Sequence, residues 1–137
     1  QISSTLPLYL TNFVPVTPSG EGFDSLTISA LFTWHLLATV VTQLPIARFL
    51  NRFDRVYGLI LSALLWAVGF VTVWATGIAT GGHLYWAILA LAILALSTVT
   101  YMPVASAIVV DMAPDSLRGI YLAVNSQCWA IGYFIGP

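Results

Sequence analysis

Five stretches of the chain are apolar almost without interruption, at about residues 5–16, 26–47, 56–76, 84–110 and 117–137. A helix needs about 20 residues to cross the hydrocarbon core of a bilayer. The last four stretches reach that length; the first is too short to span alone and reads as the tail of a helix that starts upstream. Alternation of apolar and polar positions, the mark of a transmembrane strand, is absent. Backbone in lipid must satisfy its own hydrogen bonds, so the stretches are expected to be helices.

The connections between them differ in kind. Residues 15–24 form a turn-rich segment with two acids and no base, and residues 77–83, with Gly81-Gly82, form a tight uncharged turn. Residues 48–55 and 111–118 hold all four arginines. Basic and non-basic connections therefore alternate, as spans that cross in turn require, and the basic pair is expected on the cytoplasmic side.

Composition narrows the class. The chain of 137 residues is 59% hydrophobic and 7% charged, with no lysine. A soluble domain carries about 25% charged residues because its exterior must be hydrated. This chain is expected to be an all-α integral membrane protein. No basic face exists to hold a phosphate backbone, so nucleic acid is not an expected partner. The one cysteine, Cys128, permits neither an internal disulfide nor a thiol metal cluster, and reads as a small packing residue. The five acids all fall in connections or at helix ends. A charge at mid-membrane costs about 2.5–3.5 kcal/mol on insertion scales, and no proton-carrying carboxylate is expected within these spans. The start, Gln1-Ile2-Ser3-Ser4, has neither an initiator Met nor a basic signal-peptide region, and Pro137 ends an apolar run. Both ends read as cut, which makes the chain a piece of a larger protein.

Two connections carry recognisable spacing. The run Leu44-Pro45-Ile46-Ala47-Arg48-Phe49-Leu50-Asn51-Arg52-Phe53-Asp54-Arg55 resembles the Gly-x-Leu-Ala-Asp-Arg-x-Gly-Arg loop of the major facilitator superfamily. Ala47 stands for its first Gly, Asn51 for Asp and Asp54 for the second Gly, while Arg52 and Arg55 match. Read without the resemblance, the arginines are a plain topology signal, favoured beside lipid phosphates and helix C-terminal carbonyls. The second run, Asp111-Met112-Ala113-Pro114-Asp115-Ser116-Leu117-Arg118-Gly119, resembles the superfamily's Asp-x-x-Pro-x-x-x-Arg-Gly turn. Pro114 suits the first position of a new helix and Asp115 its first turn. The ending Gly132-Tyr133-Phe134-Ile135-Gly136-Pro137 looks like the Gly-x-x-x-Gly-Pro signature of antiporters. Small residues four apart, such as Gly132 with Gly136 or Gly119 with Ala123, let two helices approach closely.

The resemblance covers the whole chain and implies a partial bundle of about five transmembrane helices. The decayed arginine loop, and the absence of a buried arginine from the fourth stretch, point to helices seven to eleven of the C-terminal half. The remainder of the same polypeptide, the other six-helix half, is then a partner, along with the lipid bilayer and a small-molecule substrate. Proton-bearing acids would lie in that other half. The function implied is proton-coupled, efflux-like secondary transport of a small organic molecule by alternating access in a bacterial inner membrane, with no cofactor and no metal.

Inward polar groups are the substrate-cavity candidates: Tyr9 and Asn12, Trp34 and His35, Thr100 and Tyr101, Asn125 and Gln127. Each also fits a packing role, since amides and hydroxyls bond across membrane helices for about 0.6 kcal/mol. His35 adds a side chain whose charge changes near physiological pH. Tyr57, Tyr85 and Trp86 read as interface anchors. Pro103 frees the carbonyl of Val99 and bends its helix, with the Thr98 and Thr100 hydroxyls placed to satisfy it. Asp111, Arg118 and Gly119 are gating candidates, with Asp111 expected to pair with Arg52, Arg55 or Arg118.

Two other classes fit less well. An intramembrane enzyme needs paired acids or a nucleophile with a base inside the bilayer; no two acids share the spans, and His35 has no Ser or Cys partner at helical spacing. A non-transporting membrane scaffold or assembly subunit is the alternative to transport.

Overall fold

The computed structural model describes residues 4–16, 20–50 and 52–135. Five α-helices follow one another: α1 (Thr5–Asn12), α2 (Ser25–Leu50), α3 (Arg55–Ile78), α4 (His83–Met112) and α5 (Arg118–Ile135). A 3₁₀ turn, Asp115–Leu117, leads into α5. Helix α4 is central and packs against α2, α3 and α5. Among the described residues, α2, α3 and α4 are long and apolar enough to cross a membrane. The 18 residues of α5 fall short of that test. Arg118, Asn125 and Gln127 dilute its hydropathy, although the sequence reading counted it as a span.

Helix ends follow local chemistry. Helix α1 stops at Asn12, short of Pro15, and Val16 N–H then donates to the Glu21 carbonyl (2.9 Å). Phe23 N–H returns to the Leu10 carbonyl (3.1 Å). That return requires Gly22, because a Cβ there would collide with the Thr11 carbonyl. Helix α2 runs three residues beyond the expected Ala47, carrying Pro45 within it and Arg48 in its last turn, where the macrodipole favours a cation. The chain turns between α3 and α4 through Gly82 in the left-handed region (φ 68°). His83 Nδ1–H, donated to the Thr76 carbonyl (2.8 Å), closes that turn.

The packing is that of a membrane bundle. Large hydrophobic side chains such as Leu64, Val68 and Val71 face outward on α3, whose buried residues are Gly58, Ser62, Gly69, Thr72 and Thr76. Spaced three, four or seven apart, these small residues form one stripe that lets α4 approach closely. A Cβ at Gly69 would lie 2.7 Å from Leu94 Cδ2, and one at Gly58 2.9 Å from Val104 Cγ2. At the far end Tyr9 reaches Gly77, and a core of Leu6, Leu10, Phe23, Leu31, Leu91 and Leu94 joins α1, α2 and α4. Hydroxyls on the helices donate to carbonyls one turn back, as Thr72 does to Val68 (2.8 Å) and Thr76 to Thr72 (3.0 Å). No buried side-chain donor or acceptor among the described residues lacks a partner.

Among the described residues, the close approach expected along the last helix is not made. Open space surrounds Gly119 and Gly132, and α5 has no buried residue. Asn51, Gly136 and Pro137 lie outside the described residues.

Candidate functional site

Helices α2 to α5 border an open cavity of about 880 Å³. Each helix contributes residues three or four apart, so each presents one face. Phe32, His35 and Leu36 come from α2, and Trp66 and Phe70 from α3. Thr98, Tyr101 and Met102 come from α4; Asn125, Cys128, Trp129, Gly132 and Tyr133 come from α5. Six of these side chains are aromatic and none carries a fixed charge. The rings contact one another: Tyr101 meets Trp129 edge-on (centroids 5.8 Å apart), Trp129 leans on Tyr133 (6.1 Å), and Trp66 stacks on Phe70 (5.5 Å). Faces and edges at such spacings give a flat guest strong dispersion contact.

His35 is held in one orientation. Its Nδ1 lies 3.0 Å from the Leu91 carbonyl of α4. A carbonyl oxygen only accepts, so Nδ1 carries the hydrogen and Nε2 of the neutral ring is an acceptor. The adjacent Trp34 makes a parallel contact about one turn away along α4, Nε1–H to the Ile88 carbonyl (3.3 Å). Together these bonds rivet α2 to α4. Asn125, half-buried, donates and accepts nothing among the described residues, so its amide is available to a guest.

The cavity therefore brings together His35, Tyr101, Asn125 and Gly132 from the expected set, and leaves the other candidates elsewhere. Trp34 serves the α2–α4 contact. Thr100 is buried in the core and donates to the Leu96 carbonyl (2.8 Å). Tyr9 stacks on Phe13, and Asn12 donates to the Leu8 carbonyl (3.0 Å). Gln127 and Pro103 are exposed and do not line the cavity. The hydroxyls expected to serve the carbonyl freed by Pro103 do not do so. Thr98 donates to Leu94 (2.9 Å) and Thr100 to Leu96, because an i−4 carbonyl lies nearer to a helical hydroxyl than the turn ahead. Most of the wall is apolar or aromatic and so lies outside the polar candidates. The spacing of Asn125, Cys128, Trp129, Gly132 and Tyr133 was the available signal.

The arginine-bearing connections meet at one end of the bundle. Arg55 forms an ion pair with Asp111 and also donates to the Ala107 carbonyl (2.7 Å), which ties the start of α3 to the end of α4. Arg118 pairs instead with Asp115 (2.8 Å) one turn away. Pro114 precedes the 3₁₀ turn, so α5 begins four residues later, at Arg118, than its proline suggested. Arg52 and Asp54 are exposed in the connection, Ala47 sits in the last two turns of α2, and Gly119 is exposed in the first turn of α5. At the opposite end, a hydrogen bond from Thr27 holds the Asp24 carboxyl below the usual carboxylate range.

The family model of the Major Facilitator Superfamily matches residues 2–137. The chain belongs to the major facilitator superfamily. No curated protein and no solved structure matches it. Superfamily members are membrane transporters rather than enzymes, and the apolar helices of this one agree with a place in the bilayer.

Proposed function

We propose that this member of the major facilitator superfamily is a proton-coupled, efflux-like secondary transporter of small organic molecules. The chain would supply helices seven to eleven, and the other six-helix half of the polypeptide would complete the cavity and carry the coupling acids. Alternating access would come from rocking of the two halves about that cavity. The arginine connections would face the cytoplasm of a bacterial inner membrane. The observation that carries this reading is the cavity itself: large enough for a drug-sized molecule, walled by aromatic rings, and polar only at a few neutral groups. Arg55 with Asp111 is a device suited to latching one of the two states.

Purified full-length protein in proteoliposomes tests it. An imposed pH gradient is expected to drive ethidium against its own gradient, with Trp129→Ala lowering the rate at least fivefold. Flux equal to that of empty vesicles, across a panel of cationic, neutral and anionic organic dyes, would favour the scaffold instead.

A further inference from the structure

A second opening lies away from the cavity, at the end of the bundle where the arginines meet. Phe49, Leu50, Phe53, Tyr57, Gly58 and Leu61 line a groove of about 460 Å³ between the end of α2 and the start of α3. The turn between the helices builds it. Arg52 N–H donates to the Phe49 carbonyl (3.2 Å) and Phe53 N–H to the Leu50 carbonyl (3.0 Å), which folds Phe53 back onto Phe49 with ring centroids 4.9 Å apart. Gly58, facing Val104 and Leu50, adds no side chain to fill the floor. Phe49, Phe53 and Tyr57 stay at least half exposed, and the Tyr57 hydroxyl is the one polar side-chain group among the lining residues.

The groove continues a face of α3 that meets lipid. Tyr57 and Leu61 begin a stripe that runs on through Leu64, Val68, Val71 and Trp74, each three or four residues further and each exposed. Tyr57 and Trp74 are 17 residues apart, which is about 25 Å along a helix rising about 1.5 Å per residue. The hydrocarbon core of a bilayer is about 30 Å thick. Tyrosine and tryptophan at such a separation sit near the two boundaries between lipid and water. The face between them therefore lies against acyl chains, and the groove is its arginine-bearing end.

Charge at the rim selects the headgroup. Arg55 is held by Asp111 and Arg118 by Asp115. Arg48 and Arg52 are exposed, have no ion-pair partner among the described residues, and adjoin the groove residues Phe49 and Phe53 in the chain. Asp54, exposed in the same connection and likewise without an ion pair among the described residues, opposes them. Two guanidinium groups against one carboxylate leave one net positive charge. An acyl chain gains no transfer energy by leaving lipid for an apolar groove. The groove thus supplies position, and the headgroup supplies preference. Arginine suits this place, because its stem lies along apolar surface while its head reaches the phosphate level.

We propose that this groove seats one acyl chain of an anionic phospholipid, whose headgroup is held by Arg48 and Arg52. The site lies on the outside of the bundle and is independent of what the cavity carries. A zwitterionic phospholipid offers the same phosphate with a cation beside it, so the net charge of the rim favours the anionic one. One uncompensated charge beside anionic lipid is worth about fivefold in affinity.

Photolabelling tests it on the full-length protein in phosphatidylcholine nanodiscs. Trace phosphatidylglycerol or phosphatidylcholine, each bearing the same diazirine acyl chain, is activated by light and the adducts are mapped by mass spectrometry. Phosphatidylglycerol is expected to label Phe49, Phe53, Tyr57 or Leu61 about fivefold more than phosphatidylcholine does, with Leu64, Val68 and Val71 labelled equally by both. Asp54→Asn should raise that preference about fivefold further, and Arg48→Gln or Arg52→Gln should abolish it. The comparison of the two lipids on wild-type protein stands if a variant does not fold. Equal labelling of the groove by the two lipids overturns the headgroup preference. An Asp54→Asn protein with the wild-type preference overturns the charge of the rim as its cause. Label on Leu64, Val68 and Val71 with none in the groove means that the rest of the polypeptide covers it, and overturns the site.

Discussion

Leu94 is fully buried and fills the notch left by Gly69 across the α3–α4 seam, so the two positions should behave as one unit. Leu94→Ala in a water-soluble core costs about 2.7–5 kcal/mol. Three carbons at about 0.8 kcal/mol each make about 2.4 kcal/mol of transfer from water. That share has no counterpart when the separated helices are themselves in lipid. What remains is the lost packing, about 0.3–2.6 kcal/mol. Gly69→Ala works in the opposite sense, adding a Cβ 2.7 Å from Leu94 Cδ2 and 3.0 Å from its Cγ. Carbons prefer about 3.5–4.0 Å. Overpacking of this kind costs about 1–3 kcal/mol, offset by about 1 kcal/mol of helix propensity. In the double variant the new methyl enters space that Leu94 has vacated, and the clash disappears. The pair should therefore be less destabilised than the two single variants summed, by about 1–2 kcal/mol. Reversible SDS-driven unfolding of the full-length protein in mixed micelles, followed by circular dichroism, measures all four corners of the cycle. Additivity within about 0.5 kcal/mol would mean that the two side chains do not share this space.

Three further outcomes are expected. Asp111→Asn removes the partner of Arg55; both side chains are about half exposed, so stability should change by less than about 1 kcal/mol. The rate of switching between inward- and outward-open states should rise instead, and unchanged state populations by spin-label distances would remove the latch. Asp24 has its carboxyl held below the usual range by Thr27, so the folded form binds its proton less readily than the unfolded form. Its contribution is present above the ordinary carboxylate range and lost as pH falls through the lowered value. Thr27→Val should erase that acid-side slope in thermal melts, lowering stability slightly at neutral pH and leaving the acid end untouched; an unaltered slope would assign it to another group. Single cysteines at Asp54 and Ser116 should both react with an impermeant maleimide in inverted membrane vesicles and be spared in intact cells. Reaction from opposite sides would separate two connections that the Arg55–Asp111 pair holds at one end.

Much of the bundle was legible because lipid imposes a coarse rule. A run of about 20 apolar residues has to be helical in a bilayer, and the arginines mark which ends lie together. The connections of α2, α3 and α4 fell within about three residues of their expected places, and Asp111 found one of its three anticipated arginines. Where a residue points was less legible. In water a buried face announces itself by being apolar; in lipid the outer face is apolar too. Helix α3 shows the consequence: its buried stripe is Gly58, Ser62, Gly69, Thr72 and Thr76, while its leucines and valines look outward. The described glycines of α5 face open space, and the close contact lies along α3 instead. Thr98 and Thr100 differ by two residues, about 200° around a helix, so one lines the cavity and the other is core.

The sequence by itself determined the solvent, the helical class, the alternation of basic and non-basic ends and, through its two motif-bearing connections, the family. Those properties are carried by composition and short-range spacing, which survive in one dimension. Only the tertiary structure decided that α4 is the hub, that α3 meets it through small residues, and that aromatic rings from four helices line one cavity together with His35. Each depends on the rotation of one helix against another. Between apolar helices in an apolar solvent, rotation is set by shape and a few hydrogen bonds, which residue type alone does not encode.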